Sequence, residues 1–246
     1  KVAEVGAGTK LVLGSPGDVI AGCDLGPPST SSEKRLSFNQ SNQIPLGWYR
    51  RFLPHCDGPD LVQFITYRLA DSIPATLLAA VETALRLIPS ERMGIERRRR
   101  IESLLDHGYG SSILRESAAA ECVIESWQRF SGQRYDLLAW VVMPTHVHVL
   151  IRMYRTTCLS RVVQTWKSYT GRRLKALFPS ACLNGEFWKR EYWDRYIRDE
   201  NHFSAVVNYI LQNPVKAGLV RTAGEWRYSG VSTELVLGGP RRKVAE

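Results

Sequence analysis

The spacing of hydrophobic and polar positions changes several times along the chain, and each change marks an element. Leu61 to Leu69 (LVQFITYRL) is rich in β-branched and aromatic residues and reads as a strand. Pro74 opens a helix in which Leu77, Leu78, Val81, Leu85 and Ile88 recur on one face. Pro89 and Ser90 restart the chain into a second helix that ends near Asp106 and carries the run Arg97-Arg-Arg-Arg100. Gly108 to Arg115 reads as a short strand or extended arm, and Glu116 to Phe130 as a helix burying Ala119, Val123, Ile124 and Trp127. Tyr135 to Met143 (YDLLAWVVM) is apolar almost throughout, which predicts a central strand. Through Pro144-Thr145 it turns into His146-Val-His-Val-Leu-Ile151, an antiparallel hairpin. Leu159 to Phe178 is a basic amphipathic helix, and Phe187 to Arg198 alternates aromatics with charge and predicts another strand. A last helix spans Glu200 to about Asn213, because Pro214 disfavours helical geometry at the residue before it.

This order of strand, helices, strand pair, helix, strand and helix predicts an α+β fold, a ferredoxin-like or RRM-like antiparallel sheet with packed helices. Residues 1 to 45 are rich in Gly, Pro and polar residues and bury too little apolar surface to offset ordering, so they are expected to be a disordered extension. Residues 46 to 230 are expected to form one domain, followed by a tail over 231 to 246.

Composition narrows the function classes. A net charge of +9 over 246 residues suits a polyanionic partner, since phosphates reward clustered Lys and Arg. Five scattered cysteines without a C-x-x-C pair indicate neither a disulfide framework nor a zinc knuckle and fit a reducing interior. No apolar run approaches a membrane span and no leader pattern opens the chain, so the expectation is a cytoplasmic protein with no membrane contact.

The candidate chemistry starts at His146 and His148. Side chains on a strand alternate, so the two imidazoles share a face about 7 Å apart, and they can converge on one divalent cation if a third group approaches. Tyr209 and Asn213 are four residues apart on a helix and therefore share a face too. If that face packs toward the histidine strand, Asn213 offers a third ligand oxygen and Tyr209 places a phenol beside the cation. Such a cation withdraws charge from a phosphate, and an aryl phosphate ester preserves the diester bond energy for a second transfer.

The set Met143-Pro-Thr-His146-Val-His148, Gln164-Thr-Trp166-Lys167-Ser168, Asp194-Arg195-Tyr-Ile-Arg198-Asp-Glu200 and Tyr209-Ile-Leu-Gln-Asn213-Pro-Val-Lys216-Ala-Gly218 resembles the single-tyrosine HUH (IS200-like) transposases. Within them it is most similar to the REP-associated tyrosine transposases of bacteria, from about Trp48 to Ser229. The resemblance implies an HUH endonuclease fold, with Mg²⁺ or Mn²⁺ held by His146, His148 and Asn213. It further implies that Tyr209 attacks single-stranded, hairpin-forming DNA to leave a 5′-phosphotyrosine and a free 3′-OH; separately, the sequence leaves both a monomer and a homodimer open. Thr145 departs from the Asn most common in relatives. Candidate DNA contacts are Lys167, Arg172, Arg173, Arg195, Arg198 and Lys216. Trp166 is a candidate for base stacking, although its helical spacing also fits a core position. His55, His107 and His202 have no partner pattern and read as surface or local hydrogen-bonding groups.

Two other classes compete. A palindrome-binding module without turnover would share the fold, and a His-x-His zinc hydrolase would need further His and Asp ligands, for which only His202 remains downstream. Deleting residues 1 to 40 should leave the thermal melt and DNA cleavage nearly unchanged, because the segment supplies neither core nor site residues; an unfolded or inactive truncation would refute this.

Overall fold

The computed structural model describes residues 47–50, 54–58, 60–155, 157–182 and 184–232. The expected disorder over 1 to 45 and most of the expected tail lie outside these residues. A short ribbon, β1 (Gly47–Arg50) with β2 (Pro54–Asp57), precedes the main sheet. The sheet contains β3 (Val62–Arg68), β4 (Tyr135–Val142), β5 (His146–Met153), β6 (Trp193–Tyr196) and β7 (Ser229–Val231), in the spatial order β6-β3-β5-β4-β7, with every pair antiparallel. Between them run α1 (Ala75–Leu85), α2 (Ser90–Asp106), α3 (Ser117–Gln128), α4 (Leu159–Leu177) and α5 (Glu200–Lys216). Strands β3, β4, β5 and β6, with α3 and α4 as the crossovers, make the βαββαβ unit of a ferredoxin-like fold, extended by β7 at the β4 edge. The α+β expectation is met.

Central strand β5 has both faces buried, and its parity sorts two cores. Val147, Val149 and Ile151 join Ile65, Tyr67, Val123, Trp127, Val162 and Trp166 beneath α3 and α4. Leu150 joins Phe64, Val141, Val206 and Ile210 beneath α5 on the other face. A bulge between Leu137 and Ala139 shifts the phase of β4 by one residue. As a result Tyr135 and Leu137 before it, and Val142 after it, face α3 and α4, whereas Ala139 and Val141 face α5. The unbroken apolar run over 135 to 143 is explained by this phase change together with burial on both faces.

Three expectations are corrected. Residues 108 to 115 form no strand: the chain turns at Gly110, where φ is +85° and a Cβ would meet the Asp71 carbonyl at 2.5 Å, and then makes a 3₁₀ turn at Ile113–Arg115. Leu114 buries there, and its amide donates to the Pro144 carbonyl (3.2 Å). Only Trp193–Tyr196 of the 187 to 198 segment is a named strand, because Phe187 and Trp188 turn into the opposite core, with Trp188 Nε1 donating to Thr170 Oγ1 (2.8 Å). Helix α5 continues through Pro214 to Lys216. Its last turn is held by Ala217 N–H to Asn213 O (3.0 Å) and Leu219 N–H to Pro214 O (2.9 Å), and Gly218 follows with φ +67°.

Trp166 is not a stacking platform. It is 1% exposed, and its Nε1 donates to Tyr135 Oη (2.8 Å), which in turn donates to the Trp127 carbonyl (2.6 Å). This chain satisfies the polar atoms of the aromatics between α3, α4 and β4. Trp166→Ala should cost about 3–5 kcal/mol, the usual loss for truncating a large buried aromatic, as read by urea denaturation. A cost near zero would contradict the core assignment.

Candidate active site on the face beneath the last helix

Residues opposite one another in adjacent strands share a face, and the register brings polar residues together on the α5 side. Thr66 of β3, His148 of β5 and Val141 of β4 form one row, and Arg68 faces His146 in the next. The imidazole centroids are 4.9 Å apart. Exposure is 2% for His146 and 1% for His148, which leaves their charged forms little solvation. Burial, reinforced by Arg68, drops His146 to about 3, and burial with His146 nearby holds His148 well below the usual histidine range. Both are therefore neutral donors at neutral pH. His148 Nδ1 lies 2.7 Å from Thr66 Oγ1, whereas its Nε2 is buried without a hydrogen-bond partner.

Helix α5 begins at Asp199, whose carboxylate accepts the His202 amide proton (2.8 Å) as an N-cap. One face of the helix then buries Val206, Ile210 and Asn213, with Tyr209 beside them against the histidine strand. The Tyr209 ring meets His148 (centroids 5.3 Å) and Phe64 (5.8 Å) edge-on, and Lys216 Nζ sits 5.0 Å from its centroid. Asn213, 3% exposed, has its Oδ1 buried without a partner. Two polar atoms, His148 Nε2 and Asn213 Oδ1, are thus buried and unpaired, a costly state that a cation would relieve. The donor set of neutral imidazoles and an amide oxygen fits a divalent ion of the Mg²⁺ or Mn²⁺ kind with open positions. No cluster of three His, Cys, Asp or Glu side chains that could hold a metal occurs among the described residues, so a zinc hydrolase site is not assembled there and the Asn213 amide matters.

Helix α2 brings in groups that the sequence reading did not assign to the site. Arg98, Glu102 and Asp106 recur at intervals of four and so share one face. Arg98 stacks over Trp193 (4.7 Å to the centroid) and lines a small cavity with Glu102, Arg195, His202, Phe64 and Tyr209. Burial pushes Glu102 up to about 7, opposed by Arg98, Arg195 and Lys216. Burial, with Glu102 and Asp106 nearby, raises the Tyr209 phenol well above its ordinary value, while a hydrogen bond with Asn213 acts the other way. The spacing of Arg98, Glu102 and Asp106 was visible in the sequence, but not which side of the sheet that face would meet.

The structure gathers His146, His148, Tyr209, Asn213, Arg195 and Lys216, and it disperses the other expected contacts. Lys167 Nζ donates to the carbonyls of Lys189 (2.6 Å) and Arg190 (2.7 Å), so two of its three N–H groups brace that loop. Arg172 and Arg173 are exposed on α4, which covers the opposite face of the sheet, and Arg173 pairs there with Tyr169 (2.9 Å) and Glu125 (3.8 Å). Arg198 is exposed at the start of α5, and its amide donates to His202 Nδ1 (3.4 Å). His202 thus makes the local hydrogen bond expected of it and also lines the Tyr209 cavity. No helix among the described residues is long and apolar enough to cross a membrane.

Residues 112–213 match the family model described as Transposase IS200 like. A REP-associated tyrosine transposase of Escherichia coli K12 is 27% identical over 106 residues, which cover 42% of this chain and 59% of that protein. A relative from Haemophilus influenzae is 23% identical over 108 residues, covering 39% of this chain and 58% of its own length. The chain therefore spans somewhat under two thirds of the curated relatives it matches. A solved structure of a REP-associated tyrosine transposase bound to a REP hairpin aligns over 80% of this chain and 90% of its own, at 18% identity and a TM-score of 0.45.

The opposed shifts at this site predict a measurable pH response. A depressed histidine makes the unfolded chain bind more protons, so the stability contributed by His146 is present above about pH 6.5 and is lost as pH falls toward about 3. The raised Glu102 acts in the other sense, contributing stability below about pH 4.5 that is lost as pH rises through about 7. Glu102→Gln should therefore melt with the wild type near pH 4.5 and above it at pH 8. Melting curves whose separation does not grow over that interval would show that Glu102 is not buried as described.

Proposed function

We propose that this chain, whose residues 112–213 match the IS200-like transposase family model, is a metal-dependent single-stranded DNA endonuclease and strand-transferase that acts through Tyr209. The observation that carries the reading is the pairing of Tyr209 and Asn213, one turn apart on α5, with the neutral His146–His148 pair, together with the two buried unpaired atoms His148 Nε2 and Asn213 Oδ1. Hairpin-forming DNA is the substrate class, following the resemblance to REP-associated tyrosine transposases.

His146, His148 and Asn213 would hold Mg²⁺ or Mn²⁺, which when bound stabilises the charge that builds on a phosphate oxygen. Tyr209 Oη forms a bond to phosphorus as the bond from phosphorus to the 3′ oxygen breaks. The 5′ phosphate of the downstream fragment becomes a phosphotyrosine, and the leaving 3′ oxygen of the upstream fragment takes up a proton that balances the one lost by the phenol. Burial disfavours the phenolate in the resting protein. Arg98, Arg195 and Lys216 place positive charge around the ring, where it favours both the phenolate and the incoming phosphate. The ester retains the free energy needed to join a second 3′-OH.

Tyr209→Phe removes one oxygen. With end-labelled hairpin DNA and Mn²⁺, the wild type should give a protein–DNA adduct on a denaturing gel and a fragment ending in 3′-OH. The Phe variant should fold, take up metal and bind the hairpin, yet give no adduct. An adduct with Phe at this position, or cleavage by the wild type without any adduct, would remove Tyr209 as the nucleophile.

A further inference from the structure

Both site histidines have a threonine hydroxyl at Nδ1. Thr66 Oγ1 is 2.7 Å from His148 Nδ1, and Thr145 Oγ1 is 3.2 Å from His146 Nδ1. The four side chains are buried. A neutral imidazole carries one proton, so if Nδ1 holds it the Nε2 lone pair is free, and the reverse tautomer leaves an Nε2–H that cannot ligate. At Thr145 the hydroxyl also reaches the carbonyl of Leu105 on α2 (3.5 Å), an acceptor for its own hydrogen that leaves the hydroxyl oxygen able to accept from His146 Nδ1–H. At His148 the buried Nε2 has no protein partner, and bare it is the lone pair that a cation needs, whereas the reverse tautomer would aim an N–H at that cation.

We infer that Thr66 and Thr145 are positioning residues, which hold the Nδ1 protons of His148 and His146 and leave both Nε2 lone pairs for a shared cation. The inference rests on the proposed cation site and adds to it the groups that orient its ligands. Thr66 is fixed for this task by strand pairing, since it lies directly opposite His148 in the β3–β5 register. Thr145 is fixed by the hairpin turn, where its carbonyl accepts the Leu69 amide (2.9 Å). Its side chain also links His146 to the end of α2, so the placement of that helix bears on a ligand's ring orientation. Partners of this kind usually change metal affinity by about 10- to 100-fold when removed.

Two readouts test this, and neither depends on turnover. In metal-free protein, imidazole ¹⁵N shifts should place the proton on Nδ1 of both histidines. Thr66→Val keeps the β-branched shape suited to a strand and loses the hydroxyl. In that variant the tautomer of His148 alone should redistribute, and Mn²⁺ affinity by titration calorimetry should fall about 10- to 100-fold. Thr66→Ser should restore both, and Thr145→Val should act in the same way on His146. Circular dichroism melts guard against loss of fold, and the Ser variant carries the test if Val does not fold. Nε2–H tautomers in the wild type, or wild-type Mn²⁺ affinity in a folded Thr66→Val protein, would overturn the inference. A wild type that binds no Mn²⁺ would instead sink the cation reading, and the metal-free tautomers would still decide the role of the threonines.

Discussion

A strand in the middle of a sheet covered on both sides has no wet face, and β5 is such a strand. Every side chain from His146 to Ile151 is buried, so placing imidazoles there commits the fold to keeping them neutral and to finding partners for their nitrogens. The arrangement around them answers that demand. Threonine hydroxyls lie at the Nδ1 atoms, α5 lays Tyr209 against His148 with Asn213 one turn further on, and the bulge in β4 turns Val141 toward this layer while Val142 enters the other core. Because β3 and β4 clamp β5 along its whole length, the spacing of the two imidazoles is set by backbone geometry and not by loop conformation. Sites carried on such elements hold their geometry better than sites carried on loops.

Charge around the phenol is arranged in opposition. Arg98, Arg195 and Lys216 bring cations to one small volume, and Glu102 and Asp106 bring carboxyl groups that the same burial makes reluctant to ionise. A site that holds its own acids partly neutral presents a more positive face to a polyanion than its residue count suggests. The exposed Arg172 and Arg173 of α4 lie on the far side of the sheet, so the basic side chains of the described residues are not all gathered at the tyrosine.

Periodicity was enough for the sheet and its crossovers, since β3, the β4–β5 hairpin and the long helices all show strong spacing. Where it failed, tertiary packing had overridden the local pattern. Phe187 and Trp188 sit in a segment that alternates with charge as a strand would, yet bury across the other core, and Pro214 stays within a helix whose last carbonyls, those of Asn213 and Pro214, accept from downstream amides. The nearness of the histidines and Tyr209 was legible because one strand and one helix carry them at fixed intervals. The burial of Trp166 and the loop contacts of Lys167 were not, because composition does not tell which face of α4 meets the core. The placement of Arg98 and Glu102 beside Tyr209, and of Thr66 beside His148, was not legible because it depends on which layers the topology brings together.

Helices α1 and α2 pack chiefly on each other, and α2 reaches the body through a few side chains such as Arg98 on Trp193 and Leu105 beside Thr145. Opening of such an arm costs less free energy than breaking β5 out of the sheet, so backbone amides in α2 exchange with solvent long before those of the histidine strand. The two halves of the site thus belong to cooperative units of unequal stability. The histidine strand sits in the most deeply buried layer of the sheet, whereas the carboxyl groups and the guanidinium that flank the phenol depend on the packing of one helical arm.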